Sequence, residues 1–141
     1  MCGIAGLVYE TREGGSFSWD EFDSHLKKVL KMSLETSADA EVLSELESLF
    51  EKVQFLKEFS SIRAIMIESG RRAQTQEWAR NLTEWESRLS EALEASEQME
   101  SAELERWNKV LISARDLTWA VRDDVLAMLP RLERLLAPYE V

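Results

Sequence analysis

Apolar residues recur along most of this chain at alternating intervals of four and three, the period of one face of an α-helix. The clearest stripe is Val42, Leu46, Leu49, Val53 and Leu56. Its spacing is that of a heptad, and Leu43, Phe50 and Phe59 widen it into a face suited to packing among several helices. An earlier helix starts at Ser18, where Ser18 and Glu21 form an S-x-x-E capping box and Phe17 and Phe22 occupy the two staple positions. Trp19, Phe22, Leu26, Val29 and Leu30 then share one face. Thr36 to Asp39 punctuates the chain and supplies capping side chains for the heptad helix.

Ser60-Ser61 marks a kink, after which Ile62, Ile65 and Met66 lead to Gly70, a helix stop by its residue type. A further helix from about Thr75 carries Trp78, Leu82, Trp85, Leu89 and Ala92. Ser96 to Ser101 holds no glycine or proline and accommodates a tight turn or an unbroken helix, of which a turn is the expectation. The last long stripe is Trp107, Leu111, Ala114, Thr118, Val121, Val125, Met128, Leu132 and Leu135. Pro130 predicts a kink or restart near Leu129, because proline removes a donor and crowds the preceding turn.

Residues 2 to 9 have a different character, a short apolar run followed by a turn region containing Gly14-Gly15, and they read as a strand. The expected fold class is therefore mainly α: an antiparallel helical bundle of three to four long helices over residues 18–137, preceded by one short N-terminal β-strand. Residues 1–9 would be the first strand of an incomplete domain, 10–17 a linker, and 138–141 an extended tail. A lone strand leaves its backbone groups unpaired and needs partners from elsewhere.

Composition supports a folded helical chain. Of 141 residues, 45% are hydrophobic, 31% are charged and two are proline, which suits a folded core and not a disordered chain. No apolar run reaches the roughly 18 residues of a membrane span, and the start lacks a basic leader with a long apolar core, so the expected location is cytoplasmic and no membrane partner is expected. The single cysteine excludes an intrachain disulfide and suits a reducing compartment. A net charge of −10 argues against nucleic acid, since the one basic cluster, Arg71-Arg72, is too small to follow a phosphate backbone.

Candidate chemistry is concentrated at the start. Cys2 becomes the N-terminal residue once Met1 is removed, and the free α-amine, with an intrinsic pKa of roughly 8, can then serve as base for the adjacent thiol. Cys2 is the one candidate catalytic residue. His25 stands near Glu21 and Asp23, but a lone histidine falls short of the paired Glu-x-x-His ligands of bundle metal sites, and it reads as a boundary residue of the first helix. No metal or cofactor is expected. Trp78, Trp85 and Trp107 lie on apolar stripes and read as core, whereas Trp119 is the best candidate for an exposed contact. The Glu-rich run from Glu84 to Glu105 reads as a solvated face.

Met1-Cys2-Gly3-Ile4-Ala5-Gly6, followed by Leu7-Val8-Tyr9, resembles the start of the class II, N-terminal-nucleophile glutamine amidotransferases, including the glutaminase domain of glutamine-fructose-6-phosphate aminotransferase. The resemblance covers about the first nine residues. It implies that Cys2 attacks the side-chain carboxamide of glutamine and releases ammonia to an acceptor, a sugar phosphate in the aminotransferase branch. Gly3 and Gly6 would then allow close backbone approach. The family's Arg-Gly glutamine-holding loop and Asn-Gly oxyanion pair have no counterpart here, since the chain has no Arg-Gly dipeptide and Gly70 is its only glycine after position 15.

Two functions follow. The chain is the front of a glutamine amidotransferase with a long helical insertion that contacts other domains or subunits, and is inactive alone. Alternatively it is a stand-alone helical interaction protein. Stripes this wide leave a monomer and a homo-oligomer equally open.

Overall fold

The computed structural model describes residues 17–136, which are mainly helical. In order, α1 spans Trp19–Leu30, α2 Asp39–Leu56, α3 Phe59–Ile67, α4 Ser69–Glu94 and α5 Ser101–Trp119. A π-helical segment, Ala120–Val125, and a 3-10 turn, Leu126–Met128, then lead into α6, Leu129–Leu136. The strand expected over residues 1–9, most of the linker and the tail lie outside the described residues.

Helix α1 begins as its sequence dictates. Ser18 has extended backbone and its Oγ accepts from the Glu21 N–H at 3.4 Å. The Phe17 and Phe22 rings lie 5.2 Å apart, the staple contact that fixes the approach of the chain. The reciprocal half of the capping box is replaced, because the Glu21 carboxylate pairs with Lys52 of α2 at 3.1 Å.

Helix α2 buries its heptad stripe completely: Val42, Leu46, Leu49, Val53 and Leu56 have no solvent exposure. They pack chiefly against α5, which answers with Val110, Ala114 and Leu117, all inaccessible. Helix α4 lies along the other side of α5 and brings in Trp78, Leu82, Trp85 and Leu89. Helix α1 closes the core over α2 and α4 with Phe22, Leu26 and Val29. Residues of all six α-helices but α6's last turns join one apolar core.

Several expected boundaries move. The residue at the N-cap of α2 is Ala38, whose side chain offers no oxygen. Ser33 and Thr36 instead bond to each other, with the Ser33 Oγ accepting from the Thr36 N–H, so the hydroxyls stabilise the turn and leave the helix start uncapped. The break expected at Ser60-Ser61 falls at Lys57-Glu58, and the Ser61 hydroxyl donates back to the Phe55 carbonyl at 2.9 Å. Phe59 does not widen the buried face, since it starts α3 on the outer side and is largely exposed.

Gly70 is not a helix stop. The break is one extended residue, Glu68, which ends α3 and whose carbonyl accepts from the Arg71 and Arg72 N–H groups of the next helix. Gly70 sits within the first turn of α4, without left-handed backbone, and α4 starts at Ser69, earlier than Thr75. The turn expected between residues 96 and 101 is present, separating α4 from α5.

The restart at Leu129 is also present, with Pro130 in the first turn of α6, where its missing N–H costs nothing. The π-helical segment before it was not legible in the periodicity. Its wider turn delays the buried positions by one residue, so that Val121, Val125 and Leu129 are buried while Met128 is only partly covered and Leu135 is exposed.

Two substitutions probe this account. Leu46→Ala should lower the unfolding free energy by about 3 kcal/mol, measured by urea denaturation followed at 222 nm, because it leaves a cavity in a fully closed stripe. Gly70→Ala should raise it by about 0.5 to 1 kcal/mol, since an added Cβ meets nothing within 4 Å and the backbone is already helical. A glycine acting as a left-handed helix stop would give the opposite sign.

Candidate functional site

Cys2, the residue on which the catalytic expectation rests, lies outside the described residues, so its surroundings carry no geometry here. Among the described residues, chemistry-bearing side chains gather where α1 crosses α2 and α4. The amphipathic pattern of α1 puts Phe22, Leu26 and Val29 inward. Its flanking positions, Asp23 and His25, therefore face the neighbouring helices at the edge of the core.

Asp23 accepts from the Trp78 indole N–H at 2.9 Å and pairs with Lys27 one turn on at 2.8 Å. Burial pushes the Asp23 carboxyl up, but the Lys27 ammonium and the Trp78 N–H together outweigh it and hold the group below its ordinary value. The same carboxylate raises Lys27. On the other flank His25 Nε2 bonds Glu45 of α2, while His25 Nδ1 lies 2.9 Å from Lys52 Nζ. Both contacts are satisfied together when Nε2 carries the proton and Nδ1 accepts from Lys52. The His25 contact, with Lys28 alongside, holds Glu45 below the usual carboxylate range despite some burial.

Above this polar seam sits an aromatic group. Trp19 stacks on Trp78 at 5.6 Å between centroids, Phe17 meets Trp19 edge-on at 4.9 Å, and Phe22 lies 4.7 Å from Trp78. The Arg71 guanidinium covers the Trp19 ring at 4.8 Å. Every ring in the group is thus engaged by another ring or a cation, which is the arrangement of a joint between helices.

A cleft of about 330 Å³ opens where the α1–α2 connection meets α4, between Leu30, Lys31 and Leu34 on one side and Trp85, Arg88 and Leu89 on the other. The Trp85 indole N–H donates to the Met32 carbonyl at 2.9 Å and fixes the floor. The cleft has the size of a small-ligand site but holds no nucleophile next to a base. Nor do any three His, Cys, Asp or Glu side chains among the described residues converge as metal ligands.

The tryptophans fall as the stripes predict: Trp78, Trp85 and Trp107 are buried and Trp119 is exposed. His25 is a boundary residue, tied between Glu45 and Lys52. Sequence reasoning missed the Asp23–Trp78 and Trp85–Met32 bonds, which join positions more than fifty residues apart. The one local signal was Asp23 four residues before Lys27, a spacing that places both on one helical face.

No helix among the described residues is long and apolar enough to cross a membrane. No protein-family model matches the chain, and neither does any curated protein or solved structure.

Asp23 and Glu45 have folded values below their ordinary 3.8 and 4.5, so the unfolded chain binds more protons in that range. Their contribution is full above about pH 5 and is lost as pH falls through the depressed values. Thermal melts should therefore hold steady from pH 7 to 5 and drop steeply below pH 4. Asp23→Asn, which keeps an acceptor for Trp78 but removes the charge, should cost about 1 kcal/mol at pH 7 and flatten the acid limb of that profile.

Proposed function

We propose that this chain is the N-terminal part of a class II glutamine amidotransferase, with Cys2 as nucleophile and the helical region as an inserted contact or regulatory module. The observation that carries this reading is the placement of Cys2-Gly3-Ile4-Ala5-Gly6 directly after Met1 and ahead of an apolar strand-like run. On this reading the first strand belongs to a glutaminase sheet completed by other parts of the protein, and the helices form an antiparallel bundle between that strand and the glutamine-binding loop.

The chemistry assigned to Cys2 needs little from the helices. Its thiol proton passes to the α-amine freed by loss of Met1, and the sulfur attacks the carboxamide carbon of glutamine. Collapse of the tetrahedral adduct forms a glutamyl thioester and breaks the C–N bond, the ammonium group returning a proton to the departing nitrogen so that ammonia leaves. Water then cleaves the thioester, giving glutamate and the free thiol. Ammonia passes to the acceptor, a sugar phosphate in the aminotransferase branch. The proposal assigns none of these steps to a residue of the described helices.

Intact-mass analysis of the natural gene product, with and without a diazo-ketone analogue of glutamine, tests the reading. Loss of Met1 with one adduct, mapped to Cys2 and abolished by Cys2→Ser, is the expected result. Retained Met1 and an unmodified Cys2 would sink it and leave a helical protein-interaction module.

A further inference from the structure

Arg71 and Arg72 are consecutive residues in the first turn of α4, and they hold opposite ends of the described chain. Arg71 stacks over Trp19 at the start of α1, and Arg72 pairs with Glu133 of α6. Phe17 reaches the same region, lining a small hollow with Phe55 from the last turn of α2. The start of α1, the end of α2, α3, the start of α4 and α6 therefore share one end of the molecule, and the chain comes in and goes out there. Placing a domain inside another fold requires such neighbouring connections.

That end has its own surface chemistry. Phe59 is 81% exposed, Ile67 66% and Leu135 62%. Arg63, Arg131 and Arg134 are exposed beside them and make no ion pair with any described residue. The α4–α5 end is the reverse, a succession of Glu91, Glu94, Glu97, Glu100, Glu103 and Glu105. Glu58 and Glu68 flank Phe59 and Ile67, but Arg63, Arg131 and Arg134 outnumber them, and in a chain of net charge −10 this end suits an acidic, partly apolar partner.

We infer that this end of the helical region is a docking face for the sheet domain of the same polypeptide that begins with Cys2 to Tyr9. The inference rests on the glutaminase reading above. Seven residues, 10 to 16, separate that segment from Phe17, and fully extended they reach at most about 25 Å. The domain built on residues 2 to 9 is thus held beside Phe59, Ile67 and the arginines at high effective concentration, and no distant partner competes on equal terms. Docking on an acidic rim with an apolar centre would cover the three exposed side chains and pair Arg63, Arg131 and Arg134.

Hydroxyl-radical footprinting of the natural gene product, read by mass spectrometry, tests this with an internal standard. Ile67 and Ile112 are the same residue type, 66% and 57% exposed in the helical region, but Ile112 lies on the outer ridge of α5, near the middle of that helix. The expected result is about fivefold lower modification of Ile67 than of Ile112, independent of protein concentration. Reversing the rim with Arg63→Glu, Arg131→Glu and Arg134→Glu should bring Ile67 up to Ile112. Cys2 alkylation is measured on the same sample. Equal modification of the two isoleucines with a reactive Cys2 overturns the docking face while the glutaminase reading stands. Protection that disappears on dilution overturns it in favour of a second copy of the chain. Protection with an unreactive Cys2 removes the glutaminase reading and the assigned partner with it.

Discussion

The seam between α2 and α5 is the constraint from which the rest of the arrangement follows. Five side chains of α2, one on each successive turn, are wholly removed from water, and helices of this length gain most of their stability from such burial and little from intrinsic propensity. Helix α5 can cover that stripe only by turning Val110, Ala114 and Leu117 toward it, which leaves Ile112 and Trp119 on its outer ridge. Its adjoining face then meets α4, whose Trp78, Leu82, Trp85 and Leu89 would otherwise be exposed. Once these three helices are set, α1 has one groove to fill, between α2 and α4, and its three inward residues fill it.

Directional contacts then fix what apolar burial leaves loose. Hydrophobic packing is tolerant of small rotations, whereas an indole N–H is satisfied at one angle. Trp78 reaches Asp23 and Trp85 reaches the Met32 carbonyl, so α4 is locked to the second turn of α1 and to the connection just past its end by donors that would be costly to bury unpaired. No buried side-chain nitrogen or oxygen among the described residues lacks a partner. His25 acts similarly between Glu45 and Lys52.

The helical character and the core were largely legible in the sequence, because burial follows a 3.6-residue period wherever the helix is regular. Val42 to Leu56, the buried tryptophans and exposed Trp119 all came from that period alone. It failed where local geometry departs from it. Gly70 was read by residue type, but the decisive feature was the extended backbone of Glu68, which a glutamate does not announce. The stripe beyond Val125 slipped by one residue because a π-helical turn carries an extra residue that no propensity marks. Thr36 and Ser37 looked like caps and instead bond to each other and to Ser33, an alternative always open to short hydroxyl side chains. The polar seam was illegible for another reason: it joins residues distant in sequence, and their partnership is a product of the fold. The catalytic expectation rests on the thiol and α-amine of Cys2 and on a resemblance over nine residues that precede the described region.

The proposed chemistry also bears on where a helical module can be placed. A nucleophile that uses its own α-amine as base must be the first residue of the mature chain, so no domain can be appended in front of it. Any added module has to follow the first strand and return the chain to the neighbourhood it left, or the sheet could not be completed. A helical region with its own closed core, an α1 start stapled by Phe17 and Phe22, and a last helix tied to α4 through Arg72 and Glu133 meets both demands. The first turn of α4 receives both ends because α3 is short and lies next to it, and Arg71 and Arg72 follow directly on the bend at Glu68. On that proposal, the reach of residues 10–16 makes the region beside Phe17 the natural meeting place of the helical region and the proposed sheet. The acidic residues collected at the far end point the other way, into solvent, where their mutual repulsion costs least.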